Sequence, residues 1–481
     1  MKLGGSFRVV GLLSIGFSLT MLPPIAVSLW YGDGQAGIFL ESFAIALATG
    51  LAIWLATWDQ DTALRRKDGF VVVTLFWFAL SFLSALPFLF GPHMSFVDAV
   101  FEAVSGFTTT GATVITHIDD LPRSVLYYRQ QIQWLGGMGL VVLAVAILPL
   151  LGIGGMRIYQ AEVPGPMKSE KLTPRLANSA RALWIIYALL TAACALSYWV
   201  AGMSPFDAIG HAFSTISTGG FSTHDASFAY FHSDVIELIA GVFMVSGGIN
   251  FSIHFLAVQQ KSIVPYLQDV EVRSFLLFVL ASAVLVAGMI RFVGNYPDVG
   301  HAAVSAWFEV TSIVTSTGFG ADDFTQWPLF IPVFLIFISF VGGCGGSTAG
   351  GMKVMRILLL IKQGLREISG LIHPSSVKPV KIGGRVLPER TVEAVWGFFA
   401  VYVIVFAILT LGMMATGLDQ VSAFAAIATS INNLGPGLGE VAYNFASVTP
   451  EGKLIAAFAM LMGRLEIFTI LVLFTPAFWM D

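Results

Sequence analysis

Apolar stretches long enough to cross a lipid bilayer recur along the entire chain of 481 residues. A membrane-spanning helix needs about 20 predominantly apolar residues. The candidate spans cover residues 9–30, 37–57, 70–90, 132–151, 181–202, 234–258, 275–293, 328–360 with an interruption, 394–415 and 454–478. Hydrophobic residues make up 56% of the chain and charged residues 11%, which excludes a soluble protein. The sequence therefore predicts an all-α protein that crosses the membrane many times.

The first apolar stretch, residues 9–29, also has the character of a secretory signal peptide. It contains two prolines and lacks a small-residue cleavage pattern, so we expect it to be retained as a membrane helix. Cys194 and Cys344 both lie in or beside apolar runs, which argues against a disulfide framework or a thiolate metal site. A net charge of −4 implies no nucleic-acid partner.

Four weaker apolar segments lie between the spans, and each runs directly into glycine. They cover residues 96–110, 205–217, 302–316 and 420–432. Each is too short to cross a hydrocarbon core of about 30 Å. A half-crossing followed by irregular backbone is tolerated at membrane depth only where it is buried in protein or lines a water-filled cavity. These segments are predicted to be re-entrant pore helices.

The re-entrant segments mark an internal repeat. Residues 99–111 match residues 306–318 without a gap, and the loops ending at Gly219 and Gly435 follow at intervals of roughly 100 residues, far beyond a solenoid period. Each unit consists of a spanning helix, a re-entrant helix, a glycine loop and a second spanning helix. We predict four such repeats around one pore, preceded by two additional helices. The expected bounds are 1–66 for the additional helices and 67–160, 175–262, 270–370 and 388–481 for the repeats.

The distribution of basic residues predicts the orientation in the membrane. Most of the 25 lysines and arginines fall opposite the re-entrant loops, notably in 157–181 and 353–390, so that side and both termini are expected to be cytoplasmic. The other side carries acids such as Asp225 and Asp322, which would attract cations, although solvated loops also carry acids by default. Histidines in these outer loops, including His224, are expected to be solvated.

The glycine loops have the chemistry needed to strip water from a cation. Backbone carbonyls can replace a hydration shell, and glycine reaches backbone angles that let successive carbonyls approach one axis. The C-terminal end of each pore helix would point inward, where its negative dipole end favours a cation. The spans contain no paired carboxylates, metal cluster or nucleophile, so an enzyme is not expected.

A secondary transporter for a small organic solute is the alternative, since that class is also built from repeats with broken helices. It places the anionic groups of its substrate at the N-termini of half-helices. The glycine loops in this chain instead follow the C-terminal ends of the short helices.

These features resemble the Trk/Ktr/HKT superfamily of potassium transporters, and within it the bacterial Trk membrane subunits of the TrkH/TrkG type. The resemblance covers essentially the whole chain. Its most specific segments are 105–112, 217–222, 316–320, 432–437 and the loop that begins at Gly342. The resemblance implies that the filter is lined by the residues leading into each loop glycine. These are Thr109, Thr110, Gly111, Ser217, Thr218, Gly219, Ser316, Thr317, Gly318, Asn433, Leu434 and Gly435.

The resemblance also implies the substrate and the partners. A serine in place of Gly111 accompanies sodium transport in plant relatives, so the glycine implies potassium, with no covalently bound cofactor. Leu434 stands where the other loops are expected to have threonine, so fourfold symmetry fails there. A homodimer in a bacterial inner membrane and a cytosolic nucleotide-binding regulatory subunit of the TrkA type are further expectations. The basic cytoplasmic segments either dock this subunit or simply follow the positive-inside rule.

Two intramembrane features are expected below the filter. Residues 342–351 contain six glycines and cannot stay helical; the resemblance makes this segment a gate across the ion path, and a passive helix kink is the alternative. Arg464 is expected near the membrane midplane within a helix that continues to about Trp479, where a charge is costly. It either pins helices together through Glu466 or carbonyls, or its charge forms a barrier in the pore. The candidate gate residues are Gly345, Gly346, Ser347, Thr348, Ala349, Gly350 and Arg464.

Overall fold

The computed structural model describes residues 3–60, 66–92, 94–139, 176–293, 298–328, 330–374 and 378–480. Within these ranges six helices are long and apolar enough to span a membrane, or eight if each of two sharply bent pairs is one span. The long helices are Leu3–Tyr31, Ala36–Ala56, Lys67–Phe90, Arg181–Val200, Val270–Phe292 and Glu389–Ala415. The prediction of an all-α, multi-pass membrane protein is confirmed.

Shorter elements connect these spans. The helices are Arg123–Gly137, Val264–Gln268, Ile331–Ser339, Val354–Ile372 and Pro476–Trp479, and strands Lys381–Ile382 and Arg385–Val386 pair as an antiparallel hairpin. The helices Ile331–Ser339 and Val354–Ile372 flank the glycine-rich segment, so the predicted interruption of span 328–360 is present. Most of the predicted span 132–151 lies outside the described residues.

Four short helices correspond to the predicted re-entrant segments, and we call them pore helices 1 to 4. Their bounds are Phe96–Phe107, Pro205–Ile216, Val299–Val314 and Gln420–Ile431. A polar residue precedes each helix, and its side chain accepts a hydrogen bond from a backbone N–H of the first turn, which would otherwise lack a partner. These capping residues are Ser95, Ser204, Asp298 and Asp419. Capping explains where each pore helix begins.

The repeats close on themselves around the pore helices. Pore helix 1 packs against Pro450–Arg464, a helix of the fourth repeat, as well as against its own neighbour Arg123–Gly137. The leading helices Leu3–Ser18 and Ala36–Ala56 pack against each other, and the former also packs against the first helix of repeat 1. The first and last repeats are therefore in direct contact, as a ring around one axis requires.

Two spans that were expected to be continuous are broken. The predicted span 234–258 consists of Asp234–Gly248 and Phe251–Gln260 at an angle of 98°. The side chain of Asn250 caps the second piece by accepting the N–H of Ser252 at 2.8 Å. The predicted span 454–478 ends at Arg464 and resumes at Ile467 after a bend of 107°. The expectation of one helix running through Arg464 is therefore wrong.

Candidate functional site

The four glycine loops share one backbone conformation. The second residue after each pore helix is left-handed, with φ between 52° and 56°, and two positions later a glycine has φ between 81° and 95°. The residue between them donates its N–H to a pore-helix carbonyl five positions earlier, at 2.7 or 2.8 Å in every loop. The left-handed residues are Thr109, Thr218, Ser316 and Asn433, and the glycines are Gly111, Gly220, Gly318 and Gly435.

This conformation corrects the sequence alignment of the second loop by one residue. Gly219 was aligned with Gly111, but the structure places Gly220 at that position. Gly219 and Gly220 are adjacent, and the amino-acid sequence does not show which of them has a positive φ. Gly219 is instead equivalent to Thr110, so threonine occupies this position in two loops rather than three, and Leu434 is one of two departures.

Backbone contacts between loops close a ring. A Cβ atom placed on any of the four equivalent glycines would collide with a carbonyl oxygen of the neighbouring loop. The contacts pair Gly111 with the Gly219 carbonyl, Gly220 with Thr317, Gly318 with Leu434 and Gly435 with Thr110. Each glycine therefore lies against the carbonyl that directly precedes the glycine of the next loop. Glycine is required at these positions both for its positive φ and for the space.

Side-chain hydrogen bonds, from within the loops and from a neighbouring helix, hold the loops in place. Asn433 Nδ2 donates to Thr110 Oγ1 at 3.0 Å, which ties the fourth loop to the first. Gln133 donates to the carbonyl of Gly219 and accepts the N–H of Phe221 at 3.0 Å, which clamps the second loop. Sequence reasoning missed Gln133, because a lone glutamine at the start of an apolar span carries no recognisable signal.

A polar residue five positions before the last helical residue ties three pore helices to the chain that follows their loops. Glu102, His211 and Glu309 occupy this position, and pore helix 4 has Ala426. Glu102 accepts from Thr113 Oγ1 and Val114 N, His211 Nε2 lies 2.9 Å from Ser222 Oγ, and Glu309 accepts from Ala321 N and Asp322 N. The same fixing role is thus filled by different side chains and partners in the first three repeats.

Arg129 completes this arrangement in the first repeat. Its guanidinium forms a fully buried ion pair with Glu102 at 2.8 Å and donates to the carbonyl of Ser222 at 3.2 Å. Removing one partner of such a pair leaves an uncompensated buried charge, at a cost of about 3 to 5 kcal/mol. Arg129 therefore holds the chains that follow the first two loops in one relative position.

A cavity of about 320 Å³ lies over the ring, on the side where the chain leaves the loops. All four equivalent glycines line it, so it opens directly onto the ring. Its carboxylates are Asp225, Glu309, Asp322 and Asp323, and Arg129 and His224 also contribute. Carboxylates in a concave site raise the local concentration of cations.

His224 at the rim of this cavity is not solvated, contrary to expectation. It is 7% exposed, its ring stacks on Tyr230, and its Nδ1 lies 2.6 Å from a carboxylate oxygen of Asp119. Burial opposes a charge on the imidazole, but the nearby carboxylates of Asp207 and Asp119 outweigh it and raise the pKa of His224 above its ordinary value. The rim of this cavity therefore contains a titratable ion pair.

The glycine-rich segment 342–351 lies against the opposite face of the ring. Thr348 Oγ1 is 3.0 Å from the carbonyl of Ile216, the last residue of pore helix 2. Gly350 donates its N–H to Ser316 Oγ, a side chain of the third loop, at 2.5 Å. The segment is thus hydrogen-bonded to two repeats directly beneath their loops.

Arg464 joins this segment to a further repeat. Its guanidinium donates to the carbonyls of Thr348 at 2.8 Å and Gly136 at 2.9 Å. Glu466, which was one expected partner of Arg464, accepts a hydrogen bond from Arg356 at 2.6 Å. Because the helix ends at Arg464, its side chain reaches the segment beneath the ring instead of lying along a continuous helix.

Comparison with known proteins identifies relatives over the whole chain. The family model of TrkH, a cation transport protein, matches residues 36–480. The Trk system potassium uptake protein TrkH of Vibrio parahaemolyticus is 51% identical over 100% of both chains. TrkH of Salmonella typhimurium is 50% identical over 98% of this chain and 99% of its own, and TrkG of Escherichia coli K12 is 43% identical over 98% of both.

The fold agrees with an experimental structure. The crystal structure of the potassium transporter TrkH from Vibrio parahaemolyticus matches with a TM-score of 0.91 and 48% identity, covering 100% of both chains. These matches confirm the resemblance and the fold class inferred from the sequence. They also confirm that the chain belongs among transport proteins and not among enzymes.

The corrected register predicts that Gly220→Ala is more damaging than Gly219→Ala. At Gly220 a Cβ would collide with the backbone carbonyl of Thr317 and would require φ of 81° from a residue with a side chain. At Gly219 it would meet the side-chain amide of Gln133, which can shift. At equal amounts of folded protein, we expect rubidium uptake into liposomes to be about tenfold lower for Gly220→Ala than for Gly219→Ala. Equal losses in both variants would contradict the register.

The ion pair at the rim predicts a pH-dependent stability. The pKa of His224 is raised by folding from its ordinary value of 6.5, so the pair contributes fully below pH 6.5 and is lost as the pH rises through the folded pKa. In detergent at acidic pH, the melting temperature of His224→Gln should therefore be a few degrees lower than that of the parent protein. This difference should shrink towards alkaline pH. His232→Gln, at an exposed histidine nearby, is the control; a pH-independent difference for His224→Gln would be evidence against the charged pair.

Proposed function

The chain belongs to the TrkH family of cation transport proteins, and we propose that it takes up potassium across a bacterial inner membrane through a pore built by one polypeptide. The observation that carries this proposal is the closed ring of glycine-to-carbonyl contacts, beneath a cavity rich in carboxylates. Relatives of similar length and close sequence are named as potassium uptake proteins. In this proposal potassium is the substrate, and the loop carbonyls replace its hydration shell.

The proposed filter follows the corrected register. The proposal keeps Thr109–Gly111, Ser316–Gly318 and Asn433–Gly435. In the second repeat it takes Thr218–Gly220 in place of Ser217–Gly219. Each pore helix ends at its loop, so the negative ends of four helix dipoles point towards a cation at the ring. A carrier of organic anions would need N-terminal ends at this place. This orientation supports a cation as substrate.

The proposed gate consists of segment 342–351 and Arg464. The hydrogen bonds from Thr348 and Gly350 hold the segment directly beneath the loops. Arg464 adds a positive charge at the same level and binds the carbonyl of Thr348. In this proposal, conduction requires the segment and the guanidinium to move aside together.

The orientation and the partners are proposed from the sequence pattern and the family. Basic residues in 353–390 and in the other loops on that side support a cytoplasmic face that includes both termini. A homodimer in the lipid bilayer and a cytosolic nucleotide-binding regulatory subunit of the TrkA type follow from the family resemblance. In this proposal the regulatory subunit acts on the gate from the cytoplasmic side.

Cation flux into liposomes that contain the purified protein tests the proposed substrate. Potassium and rubidium should enter far faster than sodium or lithium. Gly111→Ser should weaken this discrimination, because Gly111 has φ of 83° and lies against the carbonyl of Gly219. Equal flux of sodium and potassium through the unmodified protein would reject potassium selectivity. Uptake of an organic anion without cation flux would instead favour the solute carrier.

Substitutions of Arg464 separate its charge from its hydrogen bonds. A positive charge opposes a cation by about 4 kcal/mol at 4 Å with an effective dielectric constant near 20. If the charge is the barrier, Arg464→Ala should raise basal rubidium flux, whereas Arg464→Lys, which keeps the charge but not the forked donors, should stay near the parent value. High flux in both variants would assign the block to the hydrogen bonds. A low melting temperature with unchanged flux per folded molecule would make Arg464 a structural pin.

A further inference from the structure

The carboxylate of Glu271 binds segment 342–351 on the side away from the filter loops. Glu271 lies in the first turn of helix Val270–Phe292 and is 8% exposed. Its Oε1 accepts the N–H of Gly345 at 2.8 Å and the N–H of Met355 at 3.3 Å. One carboxylate oxygen therefore contacts the chain both within the segment and just after it.

The contact with Met355 substitutes for a helix cap. Helix Val354–Ile372 begins after Lys353, whose side chain makes no capping hydrogen bond and whose φ is 75°. The N–H groups of a first helical turn have no partner within the helix and favour a negative charge beside them. Glu271 supplies that charge from another helix. The start of this helix and the glycine segment therefore depend on the same side chain.

The segment is thus held from two opposite sides. On the filter side the anchors are Thr348, Gly350 and Arg464, which bind three different repeats. On the other side Glu271 holds the segment at Gly345, beside backbone hydrogen bonds from Cys344 to Gly248 and from Phe251 to Gly346. Lys353, between these two sets of anchors, has a backbone conformation that is unfavourable for a residue with a side chain. Release at Glu271 would remove the hydrogen bonds at Gly345 and Met355, which flank this junction on both sides.

We propose that Glu271 is a positioning residue that latches segment 342–351 across the pore. Residues 261–269, which the sequence pattern assigns to the cytoplasmic face, lead directly into the helix that carries Glu271. Asp269 caps the same helix by accepting the N–H of Val272 at 2.9 Å, so this connection and the Glu271 carboxylate move as one unit. A displacement of residues 261–269 would withdraw the carboxylate from Gly345 and Met355. This inference rests on the proposed role of the segment as a gate.

Cys344 is a native reporter of the latched position. It precedes Gly345, is fully buried, and donates its N–H to the carbonyl of Gly248 at 2.9 Å. The chain has two cysteines, and the other, Cys194, is replaced by alanine in the test background. The rate at which a small cationic methanethiosulfonate modifies Cys344, followed by intact-protein mass spectrometry, measures release of the segment. Rubidium uptake into liposomes measures opening of the pore.

Two substitutions of Glu271 and one matched control complete the experiment. Glu271→Ala removes both hydrogen bonds and should raise the modification rate of Cys344 about tenfold or more, since hydrogen bonds to a carboxylate are the stronger kind. Glu271→Gln keeps a neutral acceptor and should give an intermediate rate. Asp269→Asn removes a charge from the same helix end but keeps a capping oxygen, and should leave the rate unchanged. Basal rubidium flux should follow the same order: highest in Glu271→Ala, intermediate in Glu271→Gln and unchanged in Asp269→Asn.

Each result decides a specific statement. An unchanged rate of Cys344 modification in folded Glu271→Ala and Glu271→Gln would overturn the latch, and so would an equal increase in Asp269→Asn. If Glu271→Ala does not fold, as judged by its melting temperature, the rate in Glu271→Gln decides. Faster modification with unchanged flux would support the latch and reject the segment as the gate. Faster modification together with higher flux supports both.

Discussion

The four contacts between a loop glycine and the carbonyl of the next loop constrain the rest of the structure. Irregular backbone inside a membrane must be enclosed by protein, because lipid offers no partners for its polar groups. The capped pore helices bring the loops to one level, and the absence of a Cβ lets the backbones meet. Because the contact of Gly435 with the carbonyl of Thr110 returns to the first loop, the ring forms only when all four repeats are in place.

A ring made by one chain permits its four quarters to differ. The position that ties a pore helix to the following chain holds Glu102 with Arg129 in repeat 1, and His211 with Ser222 in repeat 2. Repeat 3 has Glu309 bound to backbone N–H groups, and the fourth has alanine. In a homotetramer, identical subunits would place the same residues at this position in all four quarters of the ring. In this chain Arg129 pairs with Glu102, whereas the equivalent Glu309 is held by backbone N–H groups, so the polar contacts above the ring differ between repeats.

Most of the architecture was predictable because it depends on segment length and polarity. Half-length apolar segments before glycine correspond to pore helices, and the glycine-rich interruption after Ile331–Ser339 is present. The one-residue error at Gly219 arose because adjacent glycines are indistinguishable until φ is known. The break after Gly248 was missed although Gly247, Gly248 and the capping residue Asn250 are local signals for it. The break after Arg464 has no such signal, because Glu466 pairs with Arg356 and a distant partner leaves no local pattern.

The proposed filter and the proposed gate share a hydrogen bond, which limits how independently they can act. Ser316 has the left-handed backbone of the third loop, and its hydroxyl accepts the N–H of Gly350. If segment 342–351 moves away, the Ser316 hydroxyl loses the N–H of Gly350 but keeps its own hydrogen bond to the carbonyl of Thr315 at 2.7 Å, and Arg464 loses the carbonyl of Thr348. The buried N–H of Gly350 then needs a new partner, since a buried polar group without a hydrogen bond is costly. If the proposed gate opens in this way, water must reach the space beneath the ring, and the closed segment supports the loops that it covers.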